Sequence, residues 1–197
     1  MLKRIGVIRF AFLCAAMLSG ISAAQSTSES QTADPPATAA KTAGASSSAF
    51  VKSFEAHWAT ARTLALSVAD AMPAEQYSFK PNPDEMSFGG QMAHIAQANY
   101  GYCAFIADAK SPYVEPAKDV AVEKAAAIQS LAGSFDYCTK IFDSLTDAQL
   151  NQIHVDGDRK FATRDVMLGL MIHMAHHRGQ AEVYLRLKDI TPPTYKW

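Results

Sequence analysis

Apolar positions recur along this chain at steps of three and four residues in four separate stretches, the period of helices with one buried face. In the first, Phe50, Phe54, Trp58, Ala61, Leu64, Val68 and Met72 share a face; Ser48 stands as N-cap and Pro73 forces the end. A second begins at Ser87, placed to cap the amides of the next turn, and runs to about Asp108, with Gln91, His94, Ala98, Tyr102 and Phe105 inward. A third spans about Val120 to Leu145, with Ile128, Leu131, Phe135, Cys138, Phe142 and Leu145 as its core stripe. The fourth starts at Thr163, positioned as cap, and carries Asp165 in its first turn, where a carboxylate favours the helix dipole. Its inward face is Val166, Leu170, His173, His177, Gln180 and Tyr184.

Between the helices, Pro73 to Met86 reads as an ordered loop packed by Tyr77 and Phe79, and Lys110 to about Asp119 as a crossover. Residues 146 to 162 read as an irregular connection turning at Asp156-Gly157, with room for a short hairpin. With no convincing set of strands, the pattern predicts an all-α fold, a four-helix bundle.

Composition divides the chain before that bundle begins. Residues 1–24 have the form of a secretory signal peptide: Lys3, Arg4 and Arg9, an apolar run from Phe10 to Leu18, and Ser22-Ala23-Ala24 as the cleavage site. Residues 25–48 are rich in Ser, Thr, Ala, Gln and Pro with no aromatic residue, a disordered linker by composition. Residues 49–197 form the folding domain, long enough for one real core. The chain is therefore expected to be exported, periplasmic or extracellular, with no stable membrane span after signal cleavage. Cleavage removes three basic residues and leaves an excess of four acidic ones, which argues against nucleic acid as a partner.

The chemistry concentrates in His173-Met174-Ala175-His176-His177-Arg178-Gly179-Gln180. Positions 173 and 177 lie one turn apart on the inward face, about 6 Å along the axis, so two imidazoles can reach one metal ion. Two ligands leave a metal undersubscribed, and the inward His94 of the second helix is the natural third. The alternative is a set of core histidines hydrogen-bonded to neighbouring helices. His176 falls off the stripe, and His57, beside the buried stripe of the first helix, could line a pocket but reads better as partly exposed. Two familiar chemistries drop out: no Glu-x-x-His pair exists for a carboxylate-bridged two-metal site, and Met174 stands where a zinc protease needs Glu.

Pro73-Ala74-Glu75-Gln76-Tyr77-Ser78-Phe79, the Ser87-to-His94 start of the second helix, the His173-to-Gln180 core and Pro192-Pro193 together resemble the DinB-like superfamily. That family is unrelated to the DNA polymerase of similar name. The resemblance covers about residues 50 to 193. It implies a bundle whose second and third helices run parallel, joined by the crossover, and a divalent metal, usually nickel or zinc, held by His94, His173 and His177. Some relatives are thiol S-transferases or thiol-dependent isomerases, and family membership does not fix a reaction.

Three neutral imidazoles leave the full charge on the ion, which acidifies a bound water or thiol. Gln180, one turn past His177, could orient a nucleophile or substrate, or fill the core as a bonded amide; Arg178 points elsewhere and is expected to pair with a carboxylate. The leading expectation is an exported metal-dependent enzyme, hydrolase or thiol/group transferase, acting on a small-molecule substrate. The alternative is a non-catalytic metal-binding or ligand-binding bundle. Exposed helix faces leave room for a homodimer. With parallel helices, Cys103 and Cys138 lie roughly 24 and 27 Å along their respective helices, so a disulfide and two separate buried thiols are both open.

Overall fold

The computed structural model describes residues 49–114 and 122–195; the signal and linker segments, Ser48 and the middle of the crossover lie outside these. Four long helices dominate: α1 (Ala49–Ala71), α2 (Phe88–Ile106), α3 (Lys124–Phe142) and α5 (Thr163–Arg186). A single-turn helix α4 (Asp147–Leu150), capped reciprocally by Thr146 and Gln149, leads into a hairpin of β1 (Ile153–Asp156) and β2 (Arg159–Ala162). Asp156 pairs with Arg159, so Gly157 and Asp158 form the turn. Gly157 has φ 59°, at the first central position where two-residue hairpin turns favour glycine.

Contacts between side chains give the helix directions. Asn99 bonds to Ser134 and Cys103 is joined to Cys138, a constant offset of 35 residues, so α2 and α3 run parallel. His94 meets His173 and Gln91 meets His177, pairs whose numbers rise on one helix and fall on the other, so α2 and α5 are antiparallel. Phe54 on Phe142 and Arg62 on Asp136 make α1 antiparallel to α3. This is the four-helix bundle with a crossover between its second and third long helices.

The first helix buries the predicted face: Phe54, Trp58, Ala61, Leu64 and Val68, with Met72 just past its end. Trp58 sits between Phe135 and Phe142 at ring separations of 4.6 and 5.4 Å, the aromatic centre of the α1–α3 contact. The loop after α1 is held by Tyr77, whose ring packs edge-on against Phe88 and whose hydroxyl donates to the Ala69 carbonyl at 2.6 Å. Gly89 is required there: a Cβ would lie 3.0 Å from the Val122 carbonyl oxygen and 3.1 Å from the Tyr77 ring. Ser87 caps α2 as expected, accepting from the Gly90 amide at 3.0 Å.

Three expectations are corrected. Helix α3 starts at Lys124 and ends at Phe142, shorter than the predicted span, although Leu145 still packs into the core. Thr163 is not the cap of α5 but its first residue, because its hydroxyl is taken by buried His154 of β1, 2.8 Å away. The fully buried side of α2 is Met92, Ile95, Ala96, Asn99 and Cys103, whereas Ala98, Tyr102 and Phe105 of the predicted stripe are only half-buried. Helix α2 is wedged between α3 and α5 and so buries two faces, of which the predicted stripe is the one turned to α5.

A candidate metal centre between two helices

His94 comes from α2, His173 and His177 from α5, and the antiparallel crossing brings their rings together. Ring centroids lie 5.1 Å apart for His94 and His173, 4.5 Å for His94 and His177, and 4.5 Å for His173 and His177. One nitrogen from each falls within 4.8 Å of the others, a spacing that can hold one metal ion. His177 is buried, whereas His94 and His173 are half-buried, so the cluster lies at the border of core and solvent.

The hydrogen bonds around His177 decide which of its nitrogens is free. Fully buried Gln91, one turn before His94, places its Oε1 2.8 Å from His177 Nδ1. An amide oxygen only accepts, so Nδ1 carries the proton and Nε2 keeps its lone pair. Gln91 is itself fixed: its Nε2 donates to Tyr184 Oη at 3.4 Å, and that hydroxyl donates to the Met86 carbonyl at 3.0 Å. The relay runs from the loop before α2 to the histidine it orients. Gln91 was placed inward by its spacing, but its bond to His177 is a long-range pairing that only the helix crossing creates.

Charge and desolvation favour neutral imidazoles. Burial lowers the pKa of His94, and burial reinforced by neighbouring imidazoles lowers those of His173 and His177 to about 4. All three are therefore neutral bases at pH 7. Nδ1 of His173 and Oε1 of Gln180 are buried without a hydrogen-bond partner. Such atoms are costly to bury, and His173 is one of the three histidines whose nitrogens cluster within 4.8 Å. The donor set fits a divalent ion.

Of the other residues singled out, Gln180 lies against His177, near enough to raise the pKa of that ring by hydrogen bonding, although its buried carbonyl oxygen makes no bond of full hydrogen-bond geometry. Arg178 pairs with Glu182 at 2.6 Å, a half-buried bridge along α5. His176 is exposed, and His57 is exposed on α1 away from the cluster. Tyr102 adds a wall, its ring centroid 6.0 Å from that of His173. Cys103 and Cys138 form a disulfide with their Cα atoms 5.4 Å apart, about two and a half turns beyond His94.

Comparison with known proteins bears on this arrangement. The family model of the DinB superfamily matches residues 57–181, a span containing all three histidines. A DinB-like protein of Bacillus subtilis superposes with TM-score 0.62 at 22% identity, covering 73% of this chain and 97% of its own. One from Bacillus cereus gives 0.63 at 19% identity, covering 74% and 97%, and a conserved protein of Enterococcus faecalis 0.58 at 16%, covering 69% and 94%. No curated protein matches the sequence. The family model spans most of the bundle and the solved structures share its fold, and the chain belongs to the DinB superfamily.

Proposed function

We propose that this protein holds one divalent metal ion, nickel or zinc, on His94, His173 and His177, and works as a metal-dependent enzyme, a hydrolase or thiol/group transferase acting on a small molecule. The observation that carries the reading is the convergence of three imidazoles, one nitrogen of each within 4.8 Å of the others. When bound, the ion would supply Lewis acidity to an oxygen or sulfur ligand. Gln91 holds His177 in the coordinating tautomer, Tyr184 holds Gln91, and Tyr102 narrows the approach to His173. Gln180 offers a carbonyl oxygen that could accept a proton from a substrate hydroxyl, amine or thiol. Half-exposure of His94 and His173 favours an enzyme over a storage module, since reactants must reach the site.

We also propose export. The leader-like composition of residues 1–24 and the Cys103–Cys138 disulfide both suit an oxidising compartment. Such a compartment is poor in small thiol reductants, which favours hydrolysis over thiol transfer there.

The test is elemental analysis of residues 25–197, produced in the periplasm without a metal-binding tag, beside a His94→Ala, His177→Ala variant. About one metal per chain in the parent and none in the variant is the expected result. A parent that stays metal-free and takes up neither nickel nor zinc would make the three histidines hydrogen-bonding core residues.

A further inference from the structure

The hydrogen bonds that begin at His177 all point outward from the histidine cluster. His177 Nδ1–H donates to Gln91 Oε1 at 2.8 Å, the Gln91 amide donates to Tyr184 Oη at 3.4 Å, and the Tyr184 hydroxyl donates to the Met86 carbonyl at 3.0 Å. Met86 belongs to the loop of residues 77–87 that leads into α2.

That loop is closed at its base and loosely held at its tip. The Phe88 and Gly89 amides donate to the carbonyls of Phe79 and Tyr77 at 2.9 and 2.8 Å, which satisfies two of the free donors in the first turn of α2. Residues 80–86 are all exposed. The tip bonds mainly to itself: the Glu85 amide donates to the Asn82 carbonyl at 3.0 Å and the Asp84 amide to the Asn82 side chain at 3.1 Å. Its Phe79 end packs edge-on against the Tyr184 ring, 6.1 Å between centroids, and its Met86 end is tied to α5 by the Tyr184 hydroxyl. Met86 also borders the histidines. A Cβ on Gly90, one turn before His94, would lie 3.5 Å from Met86 Cβ.

We propose that occupancy of the histidine site sets the order of the 77–87 loop through Tyr184, and so fixes Met86 beside the approach to His94. The proposal rests on the metal reading above. With Nε2 committed to an ion, the His177 ring becomes a stronger donor at Nδ1, and bonds that all run one way reinforce one another. The 3.4 Å link from Gln91 to Tyr184 is long for an N–H···O bond and has the most room to tighten. Linkage makes the effect reciprocal: whatever factor loop attachment adds to metal affinity, the metal adds to loop attachment. A partner bonded directly to a ligand carries about 10–100-fold, so Tyr184, one bond further out, should carry about three- to tenfold.

Hydrogen exchange over residues 80–90, followed by mass spectrometry, tests this on residues 25–197, metal-free and saturated with whichever of zinc or nickel the protein binds. The metal is expected to slow exchange there by about three- to tenfold. Tyr184→Phe keeps the ring against Phe79 and removes the hydroxyl alone. This variant should still take up about one metal per chain, more weakly by a similar factor, and lose the loop-specific slowing. Because it retains the metal, any general stabilisation of the bundle by the ion is common to both proteins. A metal-loaded parent whose loop exchanges as in the metal-free protein, or a variant whose loop slows as much as the parent's, overturns the coupling and leaves the metal reading standing. A parent that takes up neither zinc nor nickel overturns both.

Discussion

Replacing Gln91 by leucine removes the acceptor that fixes His177 while keeping a side chain of similar size. Gln91 Oε1 lies 2.8 Å from His177 Nδ1, and both residues are buried. Without that oxygen, His177 can move its proton to Nε2, the nitrogen needed for coordination, or rotate away from His94. Loss of such an orienting partner typically weakens metal binding 10–100-fold, about 1.4–2.7 kcal/mol. The metal-free protein should also lose about 1–3 kcal/mol, because a buried N–H is left without an acceptor. Gln91→Glu retains an acceptor at the same reach and should recover most of the affinity. The assay is competition for zinc and for nickel against a chromophoric chelator, with denaturant unfolding of each metal-free variant alongside. Two results would refute the reasoning: a leucine variant as tight as the parent, or a glutamate variant as weak as the leucine one. The second outcome would assign the loss to packing and not to the tautomer.

Acidification should destabilise the metal-free protein. His173 and His177 have pKa values near 4 when folded against an ordinary 6.5, so the unfolded chain binds more protons between these limits and stability falls as pH drops through that window. Thermal melts from pH 7.5 to 4 should show this slope, and a His173→Gln, His177→Gln variant should show a shallower one; equal slopes would refute the assignment. Removing the disulfide by Cys103→Ala with Cys138→Ala frees a loop closed over a separation of 35 residues and should cost roughly 4 kcal/mol, read as a lower denaturation midpoint. A midpoint unchanged by the double variant, or by reduction of the parent, would show that the cross-link constrains nothing.

The parts of this molecule legible in its sequence are those that rest on local rules. Helix α1 buries the stripe its spacing predicts because only one of its faces is strongly apolar. On α5 the spacing of His173, His177, Gln180 and Tyr184 placed these residues inward, and His94 was the one histidine of the second helix able to join them. Helix α2 was less legible, since a segment such as Gln91-Met92-Ala93-His94-Ile95-Ala96 is apolar around most of its circumference and periodicity cannot show that two faces are buried. Thr163 failed as a cap for a non-local reason: the strand residue His154, buried against Phe105, takes its hydroxyl.

Helix α2 couples these features through its two buried sides. Toward α3 it is tied by Asn99 to Ser134 and by the Cys103–Cys138 bond, and α3 in turn carries the aromatic cluster shared with α1. Toward α5 it presents Gln91 and His94, and the polar contacts it makes there all end on the histidine cluster or on Tyr184. Each side holds buried atoms without partners, Asn99 Oδ1 toward α3 and His173 Nδ1 and Gln180 Oε1 of α5, but only the α3 side carries a covalent bond. The α2–α5 crossing has no covalent link of its own among the described residues, and coordination would strengthen that crossing specifically. The disulfide thus holds one half of the site against the rest of the bundle, leaving α5 as the element whose position a bound ion would fix.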